Sequence, residues 1–190
     1  MFQEIRNPEG GLLGTLPIIR NSNPNSADIW ILQNDWELPF KNNWNLEAGV
    51  KYSGTRSDML TEQSILQDNV WQELPDLTFF NRFYEDILAG YVSTQKKMNY
   101  TLIRASLRVE NTVMGIESLY DRRFFDFFPH IMLQQEIGQR QFMLNYRRSI
   151  VRPGFSQLAP WVIYLDEYSS VQGNMSLRPT YTDQFLINGT

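Results

Sequence analysis

The sequence contains no cysteine among its 190 residues and has a single histidine, His130. The absence of cysteine excludes a disulfide framework and any metal site with thiolate ligands. A metal site would need oxygen ligands alone, and no acidic loop with calcium-binding spacing is present. We therefore expect neither a metal nor a cofactor. His130 has no partner motif, so we interpret it as a structural or exposed residue.

Long hydrophobic runs are also missing. No run of about 18 apolar residues occurs, which excludes a transmembrane helix. The first residues lack the basic and apolar regions of a secretory signal peptide, so none is expected. The net charge of −4, with both signs interspersed, offers no broad cationic surface to nucleic acid. These absences do not exclude a membrane-spanning β-barrel, because its alternating strands are not hydrophobic on average.

The sequence does contain alternation with a period of two residues, which predicts β-strands. One such strand places apolar and aromatic side chains on a single face, namely Trp44, Leu46, Ala48, Val50 and Tyr52. Strands joined by short turns predict hairpins over residues 28–54, 79–114 and 123–151, and a last strand starts near Thr180. The predicted fold class is all-β, an antiparallel meander of about seven strands.

The connections between the strands alternate in length. Short polar turns are predicted at 41–43, 97–99 and 138–140, and long connections at 55–78, 115–122 and 152–179. A short helix is the alternative for residues 61–74. Tight turns on one side and long loops on the other are typical of outer-membrane barrels. We therefore expect an irregular lead-in over residues 1–27 and part of a transmembrane β-barrel over 28–190.

Polar side chains on the face opposite the apolar one predict a wet lumen. The substrate-binding candidates on this face are Arg104, Arg108, Glu110, Asn145 and Arg147. The last long loop adds the aromatic candidates Trp161, Tyr164 and Tyr168, whose alternative role is packing of the loop. A soluble, secreted β-sandwich that binds carbohydrate through this loop remains the alternative function, because a sandwich core shows the same strand alternation.

Neighbouring arginines on one strand point to opposite faces. Arg147 is expected in the lumen, facing an anionic substrate, and Arg148 near the outer rim, reaching toward lipid phosphates. The alternative is that these arginines anchor a loop through ion pairs, for instance with Asp166 or Glu167. No paired carboxylates and no nucleophile motif are seen, so we expect no catalytic residues and no enzyme.

Three motifs follow one another between residues 120 and 185: FFPHIML (127–133), LNYRRSIVRPGFSQLAP (144–160) and GNMSLRPTYTDQF (173–185). In their order and spacing, these motifs resemble the outer-membrane β-barrel family of TonB-dependent receptors. Two positions depart from the family pattern, because Ala159 stands where asparagine is usual and Met175 where proline is usual. The motif residues with an implied structural role are Arg152, Pro153, Pro160, Gly173, Asn174 and Pro179.

The resemblance implies an outer-membrane receptor for a bulky nutrient such as a siderophore, a cobalamin or an oligosaccharide. It also implies a plug domain and the TonB protein as partners, besides outer-membrane lipid. Barrels of this kind have about 22 strands, so the chain is expected to be a piece of one. An isolated piece with two unpaired edges is expected to cover its apolar face, for instance by edge-to-edge pairing of two copies.

Overall fold

The computed structural model describes residues 3–6, 8, 12–16, 18–165 and 169–190. The chain divides into two compact units. The loop unit comprises residues 1–27, 57–83 and 153–177, and the strand unit comprises residues 28–56, 84–152 and 178–190. Within the described residues, no helix is both long and apolar enough to cross a membrane.

Most of the described chain is β-strand. In chain order the strands are β1 (Gln3–Arg6), β2 (Leu12–Leu16), β3 (Ile18–Ser22), β4 (Asn25–Phe40), β5 (Trp44–Gln67), β6 (Val70–Glu73), β7 (Phe79–Met98), β8 (Thr101–Ile116), β9 (Tyr120–Ile137), β10 (Arg140–Val151), β11 (Val162–Tyr164), β12 (Ser170–Gln172) and β13 (Thr180–Gly189). A 3₁₀ helix spans Pro75–Leu77, and a four-residue helix, α1, spans Phe155–Leu158.

Seven long strands form the main sheet. Their spatial order is β4-β5-β7-β8-β9-β10-β13, so each strand lies beside the next long strand of the chain. The pairs β8–β9, β9–β10 and β10–β13 are antiparallel. This order confirms the predicted antiparallel meander.

The short strands form smaller pairings. Strands β3 and β6 each pair with the second half of β5. Two further hairpins consist of β1 with β2 and β11 with β12.

The structure corrects three predicted boundaries. The short helix at 61–74 is wrong, because β5 continues to Gln67 and turns into β6 at Asp68 and Asn69, whose φ angles are 50° and 63°. The lead-in at 1–27 is not irregular, since it contains three strands and the start of a fourth. The long connection at 115–122 is a turn of residues 117–119. Apolar and polar residues do not alternate regularly in these segments, so the pattern could not reveal their strands.

One face of the strand unit carries apolar side chains in register. Ile103 pairs with Leu133, Leu133 with Leu144, and Leu144 with Ile187, which forms a row across four strands. These side chains are exposed rather than packed, with Ile187 81% exposed. In the next row the rings of Tyr146 and Phe185 stack at 4.7 Å. A sheet face of this kind requires an apolar surrounding.

The loop unit contains an aromatic core of its own. Phe83 is fully buried and stacks on Phe155 of α1, with ring centroids 4.9 Å apart. Trp161 lies 6.0 Å from Phe83 and 6.3 Å from Phe79. Leu158 is buried as well. This unit therefore buries large apolar side chains as water-soluble domains do.

Candidate functional site

The polar face of the strand unit brings together several of the predicted binding residues. On β8, β9 and β10, Ser106 pairs with His130 and His130 with Arg147. One row away, Met132 pairs with both Arg104 and Asn145. All six residues lie on the face opposite the apolar row, because their positions alternate with it along each strand.

A cavity of about 420 Å³ opens on this face. Its lining consists of Gln33, Lys51, Tyr91, Ser93, Arg104, Ser106, Leu107, Arg108 and His130. The lining includes three cationic side chains and no carboxylate among the described residues. Its size falls within the range of ordinary ligand sites, about 300–1,000 Å³.

Two arginines of this polar face are held by neutral groups. The guanidinium of Arg104 donates from Nε and Nη2 to Oε1 of Gln95, and Nε lies 3.0 Å from that oxygen. Arg147 donates from Nε to Oε1 of Gln184 at 2.8 Å. His130 Nε2 lies 3.0 Å from Oδ1 of Asn145. Among the described residues, no carboxylate forms an ion pair with Arg104 or Arg147.

A tyrosine bridges three strands beside the cavity. The Tyr91 hydroxyl on β7 donates to Asp35 on β4, passing over Gly49 on β5, and Gln33 donates to the same carboxylate at 2.7 Å. A Cβ atom at Gly49 would lie 2.5 Å from the Tyr91 ring and from Asp35. The glycine is thus required for this contact. An isolated glycine in a strand signals such a close approach, but the sequence does not show which ring fills the space.

A second polar cluster lies among the described residues of the same unit. Arg152 Nη2 donates to Glu110 at 2.8 Å and to the Thr112 hydroxyl at 2.9 Å, and it lies 3.4 Å from Asp126. The Tyr181 hydroxyl donates to Asp126 at 2.6 Å. Glu110 and Asp126 are only 8% and 5% exposed. Two nearly buried carboxylates are therefore neutralised largely by one arginine, to which Arg108 adds an ion pair with Glu110 at 2.6 Å.

The neighbouring arginines point to opposite faces, as alternation predicts. Arg148 forms a two-pronged ion pair with Asp183, at 2.8 Å for each contact, and Tyr146 donates to the same carboxylate at 3.0 Å. The partner of Arg148 is therefore a residue of the adjacent strand. The predicted alternatives Asp166 and Glu167 lie outside the described residues.

The loop candidates are placed differently. Trp161 is 7% exposed and packs in the aromatic core, which favours the packing role over a ligand platform. Tyr164 lies on β11, and Tyr168 lies outside the described residues. Both stay predictions as binding residues.

The motif residues after β10 form a compact turn. The carbonyl of Pro160 accepts from Gln172, and the backbone N–H of Asn174 donates to Gln157 at 2.7 Å. A Cβ atom at Gly173 would lie 2.5 Å from the carbonyl oxygen of Ala159. Pro153 and Pro179 flank strand ends, where the missing N–H does not interrupt a ladder. This geometry explains why the loop needs glycine at 173.

Sequence reasoning did not identify Gln33, Lys51, Tyr91 and Ser93 as lining residues. These four residues occupy the polar positions of the alternating pattern in β4, β5 and β7, which was the available signal. The sequence does not show which strands lie beside a cavity, because that depends on how the strands pair in the sheet. In the described part of the chain, no group of three or more histidine and acidic side chains is arranged to hold a metal ion.

Comparison with known families places nearly the whole chain in a family. The model of the family described as "Outer membrane protein beta-barrel family" matches residues 2–190. No curated protein and no solved structure matches the chain.

Proposed function

Because the chain belongs to the outer membrane protein beta-barrel family and lies in the outer membrane, we propose that it is the barrel segment of a TonB-dependent receptor for a bulky nutrient. A siderophore complex, a cobalamin or an oligosaccharide fits this class. The TonB-dependent part rests on the resemblance of the three motifs between residues 127 and 185. The soluble β-sandwich alternative is contradicted by the family match.

The observation that carries the proposal is the opposite character of the two faces of β8, β9 and β10. The row from Ile103 to Ile187 is apolar and exposed, as expected for side chains that touch lipid. The other face carries Arg104, Arg147 and a cavity, as expected for a wet lumen that contacts a passing ligand.

The residues divide into two roles under this proposal. Arg104, Arg108, Asn145 and Arg147 contact the nutrient in the lumen. Arg152 fixes the end of β10 by neutralising buried carboxylates. The remaining predicted partners are a plug domain that fills the lumen and TonB, which supplies energy for its movement, and no catalytic step is required.

Uptake measurements test the proposal. Cells with and without the intact gene, in backgrounds with and without TonB, are given labelled ferric siderophores, cobalamin and oligosaccharides. We expect uptake of one of these classes to be lost when either the gene or TonB is removed. Uptake that depends on the gene but continues without TonB would identify a passive channel and contradict the proposal.

A further inference from the structure

The arginines of the strand unit differ in how their charges are balanced. Arg56, Arg108, Arg148 and Arg152 each form an ion pair with a carboxylate within 3 Å. Arg104 and Arg147 instead bind amide oxygens of glutamine. In the described part of the chain, these two arginines and Lys51 form no ion pair.

The two arginines and Lys51 occupy one area of the polar face. Arg147 lies opposite His130, and Arg104 lies one row away on the other side of β9. Neighbouring strands are about 4.8 Å apart, so the backbones of β8 and β10 are separated by roughly 10 Å. Arginine side chains reach far enough to approach one ligand from both sides. Lys51 lines the same cavity as Arg104 and His130.

The chemistry of these groups selects the ligand. A guanidinium presents five N–H donors in a planar fork, and one amide oxygen satisfies only part of them. Carboxylate and phosphate oxygens match this fork and neutralise its charge. The adjacent Asp35 is already bonded to Tyr91 and Gln33, so it does not serve as the partner of the arginines.

We propose that this face binds a nutrient carrying at least two carboxylate or phosphate groups, which Arg104 and Arg147 hold from opposite sides while Lys51 contributes charge in the cavity. The proposal rests on the function proposed above, because it assigns a substrate class to the same lumen site. A neutral oligosaccharide would leave these cations unmatched.

Binding to the purified full chain in detergent micelles tests the proposal without TonB. Citrate and inorganic pyrophosphate serve as anionic probes and maltotriose as the neutral probe, at constant ionic strength. We expect the anionic probes to bind, and the Kd to rise about tenfold in Arg104→Gln and in Arg147→Gln, the loss of roughly one charge-assisted contact. Arg104→Lys and Arg147→Lys, which keep the charge, are expected to lose less.

The matched control is Arg123→Gln. Its side chain is 77% exposed on the other face of β9, so its removal is expected to leave the Kd unchanged. Heat-dependent migration on gels verifies that each variant is folded. Two results would overturn the proposal: anions that bind no more tightly than maltotriose, or unchanged affinity for the anions in the double variant Arg104→Gln/Arg147→Gln.

The two proposals fail separately. Uptake that continues in cells without TonB would contradict the proposed transport function. Anion binding to the purified chain could still be measured in that case. Absent anion binding together with TonB-dependent uptake of a neutral nutrient would remove only the substrate class.

Discussion

The loop unit and the strand unit of this chain differ in their aromatic side chains, because the loop unit has a buried aromatic cluster and the strand unit carries exposed aromatic rings. In the loop unit, Phe83 is fully buried and Trp161 is 7% exposed. In the strand unit, Phe185 is 73% exposed, while Thr112 is fully buried and Asp126 is 5% exposed. The first arrangement suits water and the second suits lipid outside with polar groups inside.

The comparison shows that the surrounding medium, rather than residue type alone, decides what is buried. Water drives apolar surface inward at roughly 25 cal/mol per Å². Lipid removes that driving force from an outward-facing Phe185 and instead penalises a charge on the same face. Substitutions in each unit can therefore break or sharpen the contrast.

The largest expected effect comes from Arg152→Ala in the strand unit. Arg152 is the described cation that contacts both Glu110 and Asp126. Removing one partner from a buried charge cluster costs about 3–5 kcal/mol. We expect a loss of this size in the free energy of unfolding, measured by tryptophan fluorescence in phospholipid vesicles with increasing denaturant.

The exposed pair Arg148–Asp183 is the control for this prediction. Its side chains are 40% and 38% exposed, and near the outer rim, where Arg148 is expected, water and headgroups screen such pairs. Arg148→Ala is therefore expected to have a much smaller effect. Equal losses for the two variants would show that burial does not distinguish the two ion pairs.

The next largest effect is expected for Phe83→Ala in the loop unit. We expect this substitution to lower the free energy of unfolding by about 3 kcal/mol, the lower end of the range for truncation of a buried phenylalanine. The lower end is expected because the stacked Phe155 ring can fill part of the cavity. Phe185→Ala removes an equally large ring that is already exposed. The same unfolding measurement should show a smaller change there, and the reverse order would contradict the contrast between the units.

The sequence allowed the fold of the strand unit to be predicted but not that of the loop unit. Alternation revealed the seven long strands because one face is apolar and the other polar. The second half of β5, from 57 to 67, has polar residues on both faces, so its continuation and the hairpin at Asp68 were missed. Its pairing with β3 and β6 becomes visible only in the folded sheet.

The candidate site was predicted in part for a similar reason. Parity along β8 and β10 correctly assigned Arg104, Asn145 and Arg147 to one face. The Arg152 cluster depends on a contact with Glu110 across 42 positions in the chain. No local pattern encodes such a distance, and the motif implied only a structural role.

Leu133→Arg tests the lipid-facing row directly. A charge placed on this face near the bilayer midplane costs about 2–4 kcal/mol, and less near the interface. Gln134→Arg places the same charge one residue away, on the polar face, where little loss is expected. Unfolding in vesicles measures both variants. If they lose stability equally, the two faces of β9 do not meet different media.

The smallest expected effect is a difference in stability between substitutions at two glycines of the strand unit. Gly49→Ala puts a methyl group 2.5 Å from the Tyr91 ring and Asp35, and forced repacking of this kind costs about 1–3 kcal/mol. Gly90→Ala meets nothing within 4 Å, so its stability should be unchanged or slightly raised by the lower entropy of the unfolded chain. Unfolding curves for both variants, with probe binding to the cavity, check the prediction. If Gly49→Ala were as stable as Gly90→Ala, Tyr91 would not need to cross β5 to reach Asp35, and the wall of the cavity would be formed differently.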